Sequence, residues 1–419
     1  MLDITELCYS YAASAAPQTR QPLRQAEIAA VDPFLMPHQG NGSAPRVVWQ
    51  VTKACNLNCL NCYSNSRPRS YATELTSPDA LKLIDDLAEF GVPQLIFGGG
   101  EPLMRPDLLE LVAHARKRGI EPLLFTNGTL LSPGNVAGLK RAGMHFISIL
   151  LEGLGWKVDR HRGVWGALEA AIEGYWHSQS AGLAAGFHTP LNRWTYPELD
   201  RIFDWAERVR VRRLVFSHLV YAGRGNRPED DLARDEKRRA LDLILARAED
   251  FARRGVGIRI GTAENYVDGV YLYLQLARKN PTRAAKIFSP LLTRGSGVYG
   301  AGVGIAGIDS AGNVHPDPYW VNCNLGNIRE TPFREIWAKS PDPLLRGLRD
   351  RLPRLKGRCA DCRWQQACGG NLRVRAEEIY GDPWMHDPAC YLTAEEIIKE
   401  LPEQVGTMEN DVLLEEQAA

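Results

Sequence analysis

From Val47 onward, short apolar runs rich in β-branched and aromatic residues alternate with stretches of helical periodicity. "VVWQVT" (47–52), "QLIFGGG" (94–100), "PLLFT" (122–126), "HFISIL" (145–150), "AAGFHTP" (184–190) and "RLVFSHLV" (213–220) read as strands. Between the first two, Leu81, Ile84, Leu87 and Ala88 share one helical face; Ser77 reads as its N-cap, Pro78 as its first residue and Gly91 as its stop. Pro106 opens a second helix ending near Gly119, Pro133 a third, and Trp165 to Trp176 reads as a fourth. Leu199, Ile202, Phe203 and Ala206 mark a fifth. Six strand–helix units predict an α/β fold, a six-unit βα partial, open TIM-like barrel with a parallel sheet. In such folds active sites gather at the C-terminal ends of the strands.

The pattern changes on either side of this block. Residues 1–45 are rich in proline and read as an N-terminal arm over the main domain 46–225. Residues 226–300 read as a helical connecting region, with a strand "VGIRI" (256–260) and a long amphipathic helix ending at Arg254. Within it Tyr266, Tyr271 and Tyr273 read as core and groove lining. "RGSGVYGAGVGIAG" (294–307) is glycine-rich enough either to let backbone approach a large flat ligand or to form flexible turns. Residues 301–395 form a small cysteine-bearing C-terminal domain, and 396–419 an acidic tail.

Composition narrows the class without naming a chemistry. Apolar residues make up 44% and charged ones 24% of 419, as in a soluble globular enzyme. Lys+Arg and Asp+Glu are both 50, so no net charge draws the chain to nucleic acid or anionic lipid. No apolar run is long enough to suggest a membrane span, and the first residues lack the basic and apolar pattern of an export signal. Nine cysteines, seven of them in two tight groups, suit a reducing cytoplasm better than a disulfide framework.

Those two groups carry the chemistry. Cys55, Cys59 and Cys62 follow the first strand at spacing C-x3-C-x2-C, at the end of the sheet where active sites gather. Zinc wants four ligands, whereas a cubane 4Fe–4S cluster held by three thiolates keeps one iron open for chemistry. One unit later, "GGGEP" (98–102) offers glycines for close backbone approach and Glu101 as an acceptor at the site rim. Near the other end Cys359, Cys362 and Cys368 form C-x2-C-x5-C, with Cys390 following. Four thiolates suit either a fully ligated 4Fe–4S cluster or a structural zinc. Cys323 is unassigned, and the lone Cys8 and His38 read as incidental.

The cysteine loop followed by Tyr63, together with "GGEP" (99–102) and "TNG" (126–128), resembles the radical S-adenosylmethionine (radical SAM) superfamily. The resemblance implies that Cys55, Cys59 and Cys62 hold a cluster whose open iron takes the amino and carboxylate groups of SAM. Reductive cleavage then yields a 5′-deoxyadenosyl radical. It also implies that Tyr63 borders the adenine, that Gly99, Gly100 and Glu101 meet the methionyl amino group, and that Asn127, at the end of the third strand, belongs to the cofactor site. Where relatives carry Ser-x-Asp toward the ribose, this chain has Leu150 and Glu152. Glu152 can accept from hydroxyls and Leu150 cannot. Arg162 matches an arginine near the SAM carboxylate, or else is a surface charge at a helix start. The C-terminal cysteines resemble a reduced SPASM/twitch domain, implying that Cys359, Cys362, Cys368 and Cys390 hold a second, auxiliary 4Fe–4S cluster.

"HLVYAGRGN" (218–226), "GNVHPDPYW" (312–320), "LGNIRETPFREIW" (325–337), "GRCADCRWQQACGGNLRVRA" (357–376) and "GDPWMHDPACYL" (381–392) resemble the radical SAM enzymes of haem d1 and alternative haem biosynthesis, the NirJ group. This implies a tetrapyrrole substrate modified at a side chain, and a low-potential electron donor such as flavodoxin or ferredoxin. Oxidation of a ring methyl on a chlorin or bacteriochlorophyll precursor, peptide maturation, and a non-enzymatic iron–sulfur sensor are the alternatives. For a flat macrocycle, Trp165, Tyr221, Tyr319 and Trp320 offer walls, Arg224 and Arg227 cations, and His218 or His315 a ligand to a central metal.

Overall fold

The computed structural model describes residues 2–5, 44–225, 227–293 and 296–398. Most of the N-terminal arm, with Cys8 and His38, and the acidic tail beyond 398 lie outside the described residues. All strands join one sheet: β1 (Leu2–Asp3), β2 (Arg46–Thr52), β3 (Gln94–Gly99), β4 (Glu121–Thr126), β5 (Phe146–Leu150), β6 (Ala185–Leu191), β7 (Arg213–His218), β8 (Arg259–Ala263), β9 (Ile305–Ile308), β10 (Asn313–His315) and β11 (Gly326–Asn327). Their order is β1-β8-β7-β6-β5-β4-β3-β2-β9-β10-β11, an open sheet in which β2 to β8 run parallel in sequence order.

Two features go beyond the six-unit expectation. The strand within the presumed helical connecting region is β8, a seventh parallel strand paired with β7. On the opposite edge β9 pairs in parallel with β2, so the C-terminal domain extends the strand that leads into the first cysteine group. Antiparallel β1 covers the free edge of β8, as an exposed edge demands.

Alternation along each strand divides its side chains. Val47, Trp49, Val51, Leu95, Phe97, Leu124, Ile147, Ile149, Phe187, Leu214 and Phe216 meet the helical layer in the main core. Val48, Ile96, Leu123, Phe125 and Phe146 form a separate cluster on the inner face. The first large helix spans Ser77–Phe90, and its cap is Thr76, not Ser77: the Thr76 and Asp79 side chains cap each other's backbone amides, and Pro78 occupies the first turn. The helix expected over Trp165–Trp176 spans Ala167–Ser180, and a further short helix, Trp156–Arg162, precedes it. Gly163 and Gly166, both at positive φ, separate the two, with Trp165 exposed between them.

Candidate active site and a second cysteine centre

β2 delivers the first cysteine loop to the C-terminal edge of the sheet, and its neighbours hold it by backbone contacts. The amides of Gly100 and Glu101 donate to the carbonyls of Thr52 and Ala54, each at 2.8 Å. A Cβ on Gly99 would lie 2.3 Å from Thr52 O, and one on Gly100 2.1 Å from Ala54 O. These glycines therefore admit the backbone of the cysteine loop itself. On the far side, Asn58 and Leu60 donate their amides to Arg162 O and His161 O at 3.0 and 3.1 Å. "AGRG" closes the third side, a device that sequence reasoning missed. Arg224 donates through Nε and Nη2 to Cys59 O and through Nη1 to Ser66 O. A Cβ on Gly223 would lie 2.2 Å from Tyr63 O.

The loop turns hydrogen-bond donors onto its sulfurs. Cys55 Sγ accepts from the Leu57 amide at 3.4 Å and lies 3.9 Å from Asn127 Nδ2. Cys62 Sγ accepts from the Ser66 amide at 3.3 Å and lies 3.4 Å from the Ser64 hydroxyl. Burial pushes the Cys55 thiol up to about 11, and burial, then Glu152, push Cys59 up as well. Desolvated thiols with amide donors aimed at sulfur suit a metal cluster, whose positive charge would favour thiolates.

The other sequence-predicted residues converge here in altered roles. Glu101 is fully buried rather than at a rim. Its carboxylate accepts from Thr126 Oγ1 at 2.8 and 2.9 Å, from the Asn127 amide at 2.9 Å and from the Leu103 amide at 3.1 Å. Burial lifts it to about 6 against those donors. Arg162 is not a surface charge: it is fully buried, at the C-terminal end of its helix. It bonds Glu152 through Nε and Nη2 at 2.9 and 2.7 Å, and it donates to the carbonyls of Asn127, Leu150 and Ala167. Leu150 thus contributes through its carbonyl. Glu152 Oε2, expected to meet ribose, is occupied by Arg162. Tyr63 packs edge-on against Tyr319, with centroids 5.6 Å apart.

The four C-terminal cysteines meet around one small apolar cavity, lined also by Val267, Arg358, Gly370, Asn371, Leu392 and Ile397. Cys359, Cys368 and Cys390 are buried and Cys362 is half-buried. Each sulfur has one backbone amide: Asp387 on Cys359, Trp364 on Cys362, Gly370 on Cys368 and Leu392 on Cys390. Burial raises all four thiols, Cys390 to about 11. Cys323 does not line this cavity. Part of the glycine-rich run packs on this centre: a Cβ on Gly297 would lie 2.0 Å from Cys368 O, and one on Gly369 2.4 Å from Val298 N.

Most residues offered to a macrocycle are committed elsewhere. His218 is buried against Asp268 at 3.0 Å and Asn265 at 3.4 Å, so neither ring nitrogen is open to a central metal. His315 is buried with Nδ1 on Cys323 O at 2.7 Å. Arg224 is bound to the cysteine loop, Arg227 pairs with Glu229 at 3.3 Å, and the Tyr221 hydroxyl donates to Asp231 at 2.7 Å. Trp320 is buried, its indole nitrogen on Glu377, and Trp165 is 73% exposed. His315 Nε2 is left without a hydrogen-bond partner, 3.7 Å from Asp309 Oδ2, and Tyr319 is half-buried beside Tyr63, with its hydroxyl donating to Glu264 at 3.2 Å. Glu264 follows β8 with φ +61, a left-handed conformation costly for glutamate. His188, on the inner face of β6, shares a 2.7 Å hydrogen bond with Ser217. Burial, then Arg213, hold it down to about 4, so it is neutral near pH 7. Glu264 and His188 were not singled out from sequence, because only the folded sheet brings Glu264 to Tyr319 and His188 to Ser217.

Three comparisons bear on this arrangement. The model of the radical SAM superfamily matches residues 49–206, and that of SPASM, an iron-sulfur cluster-binding domain, matches 301–363. The Fe-coproporphyrin III synthase of Methanosarcina barkeri is 42% identical, over 84% of this chain and 89% of its own. The chain belongs to the radical SAM superfamily. This radical SAM enzyme is also 40% identical to the pre-heme d1 synthase of Dinoroseobacter shibae, over 84% of this chain and 87% of the other. Its fold is shared with Streptococcus suis SuiB bound to S-adenosylmethionine, with a TM-score of 0.65 at 18% identity, covering 84% of this chain and 78% of that one. The enzyme therefore works with a 4Fe–4S cluster and SAM, and its SPASM domain carries further iron–sulfur. Among the described residues no helix is long and apolar enough to cross a membrane.

Proposed function

We propose that the enzyme modifies a side chain of an iron tetrapyrrole, using a 5′-deoxyadenosyl radical made at the first cysteine loop. The observation that carries this is the 42% and 40% identity to two tetrapyrrole synthases, over 89% and 87% of their lengths. Cys55, Cys59 and Cys62 would hold the SAM-cleaving cluster, and Cys359, Cys362, Cys368 and Cys390 the auxiliary one. When bound, the first cluster supplies the electron that cleaves SAM, and it draws that electron from a low-potential donor such as flavodoxin or ferredoxin.

The protein's part is to hold and exclude. Glu101 ties the glycine turn to the end of β4 and so fixes where the backbone of Gly99 and Gly100 lies beside the loop. Arg162 holds Glu152 and the carbonyl of Asn127 at one edge, leaving Asn127 Nδ2 beside Cys55. Tyr63, Tyr319, Glu264 and His188 keep partial exposure deep in the molecule and are the groups proposed to face substrate.

Anaerobically reconstituted enzyme, given reductant, SAM and a panel of iron tetrapyrroles bearing acetate or propionate groups, should release 5′-deoxyadenosine and a product that has lost carbon from a side chain. Mass spectrometry reads both. A product that gains oxygen on a ring methyl would replace the side-chain reading. 5′-Deoxyadenosine released with peptides but with no tetrapyrrole would overturn the substrate class.

A further inference from the structure

The four-cysteine cavity has a buried cation beside it that the reaction scheme does not use. Arg373 is 1% exposed. Its Nη1 donates to the carbonyls of Pro383 and Met385, whereas Nε and Nη2 are buried with no hydrogen-bond partner. Its guanidinium packs on Gly370, where a Cβ would lie 3.1 Å from Arg373 Cζ and 3.2 Å from Nε. Gly370 lines the cavity and points its amide at Cys368. Arg373 also acts electrostatically on Cys359 and Cys368. The nearest carboxylate, Asp387, is taken by Arg375, at 2.8 Å, and by the amides of Leu372 and Ala389.

A buried guanidinium with two unmade hydrogen bonds is costly unless an acceptor arrives with the ligand. The acceptors this site lacks are anionic sulfurs, which a four-thiolate iron–sulfur cluster would bring. We propose that Arg373 is a positioning residue for the auxiliary cluster, donating through Nε and Nη2 toward the sulfurs on the Cys359 and Cys368 side and raising the cluster's reduction potential. The physical reason is charge. Adding an electron makes an anionic cluster more negative, and a fixed cation with N–H donors in a dry, apolar cavity stabilises that reduced form more than the oxidised one. Arg358 lines the same cavity, acts on Cys362 and Cys390 and has Nη2 on Leu392 O; what sets Arg373 apart is that its unpartnered donors are buried.

This inference rests on the four cysteines holding an iron–sulfur cluster, and the experiment separates the two claims. Full-length protein with Cys55, Cys59 and Cys62 replaced by alanine is reconstituted anaerobically. Iron and zinc are measured, and the remaining cluster is titrated redox-potentiometrically by electron paramagnetic resonance. Arg373→Gln should lower the midpoint so that, at the parent's midpoint potential, the reduced-to-oxidised ratio falls about tenfold, about 59 mV for a one-electron couple. Arg373→Lys keeps the charge and loses the fork, so it should shift less, in the same direction. Both should lose exchangeable-proton couplings that the parent shows by electron–nuclear double resonance. An unchanged midpoint and unchanged couplings at full iron content would overturn the role of Arg373 alone. Should Arg373→Gln fail to hold iron, Arg373→Lys decides by the same two readouts. Zinc in place of iron in the parent would overturn the cluster reading itself.

Discussion

Single atoms decide whether the cysteine loop can form. Gly100 has its backbone against Ala54, so Gly100→Ala would force a methyl into a carbonyl at 2.1 Å. That substitution should displace the loop and roughly halve the iron bound, leaving the C-terminal cluster intact; an iron count equal to the parent's would refute this account of the glycine. Asp317 offers a test by pH. It is buried, its Oδ1 accepts the Tyr319 and Trp320 amides, and burial lifts it from 3.8 to about 7. Folding thus favours the protonated acid, so its contribution is present at low pH and is lost as pH rises through about 7. Asp317→Asn keeps the acceptor and removes the charge. It should gain up to about 4 kcal/mol at pH 8 and nothing near pH 4, by the value of a pKa unit. Anaerobic urea unfolding reads this, and a gain independent of pH would mean the charge is not the cause.

At the scale of elements, the Trp156–Arg162 helix is as much part of the site as any strand. Its last carbonyls hold the cysteine loop, and its last side chain pins Glu152 and the ends of β4 and β5. Removing one partner of a buried pair costs about 3–5 kcal/mol, so Arg162→Met should destabilise by that order. Adding Glu152→Gln should recover part of the loss, because the stranded charge is then gone. If the double variant is no more stable than Arg162→Met in chemical denaturation, the pair is not what Arg162 contributes. Sequence periodicity placed a helix only from Trp165 and missed the Trp156–Arg162 one, because about two turns between Gly155 and Gly163 are too short to show a period.

All strands among the described residues belong to one sheet, and this governs what can be separated. β9 completes β2, whose end carries Cys55, and the Gly297–Gly300 segment packs on Cys368. A chain truncated after residue 300 should therefore expose the β2 edge, aggregate, and lose the first cluster as well as the second. A soluble, monomeric truncation that retains about four irons by metal analysis would show the two parts to be independent.

Sequence by itself determined much of this protein. Strand alternation set the parallel units, and cysteine spacing with the "GGEP" turn set the SAM chemistry, because a metal loop and its supporting turn are local and repeat in fixed registers. The four C-terminal cysteines line one cavity, and Cys55 and Cys62 lie on one loop with backbone amides on their sulfurs. Tertiary structure decided what each polar side chain does once there. Glu101, Arg162, His218 and Arg224 read from sequence as ligands, yet the first three are buried, Arg224 is half-buried, and all are satisfied by groups far along the chain. Glu264, His188 and Arg373 carried no signal, because their surroundings are assembled only by strand pairing across the sheet and the docking of the C-terminal segment. A polar residue's role depends on which donors and acceptors burial leaves unpaired, and that is a property of the folded chain.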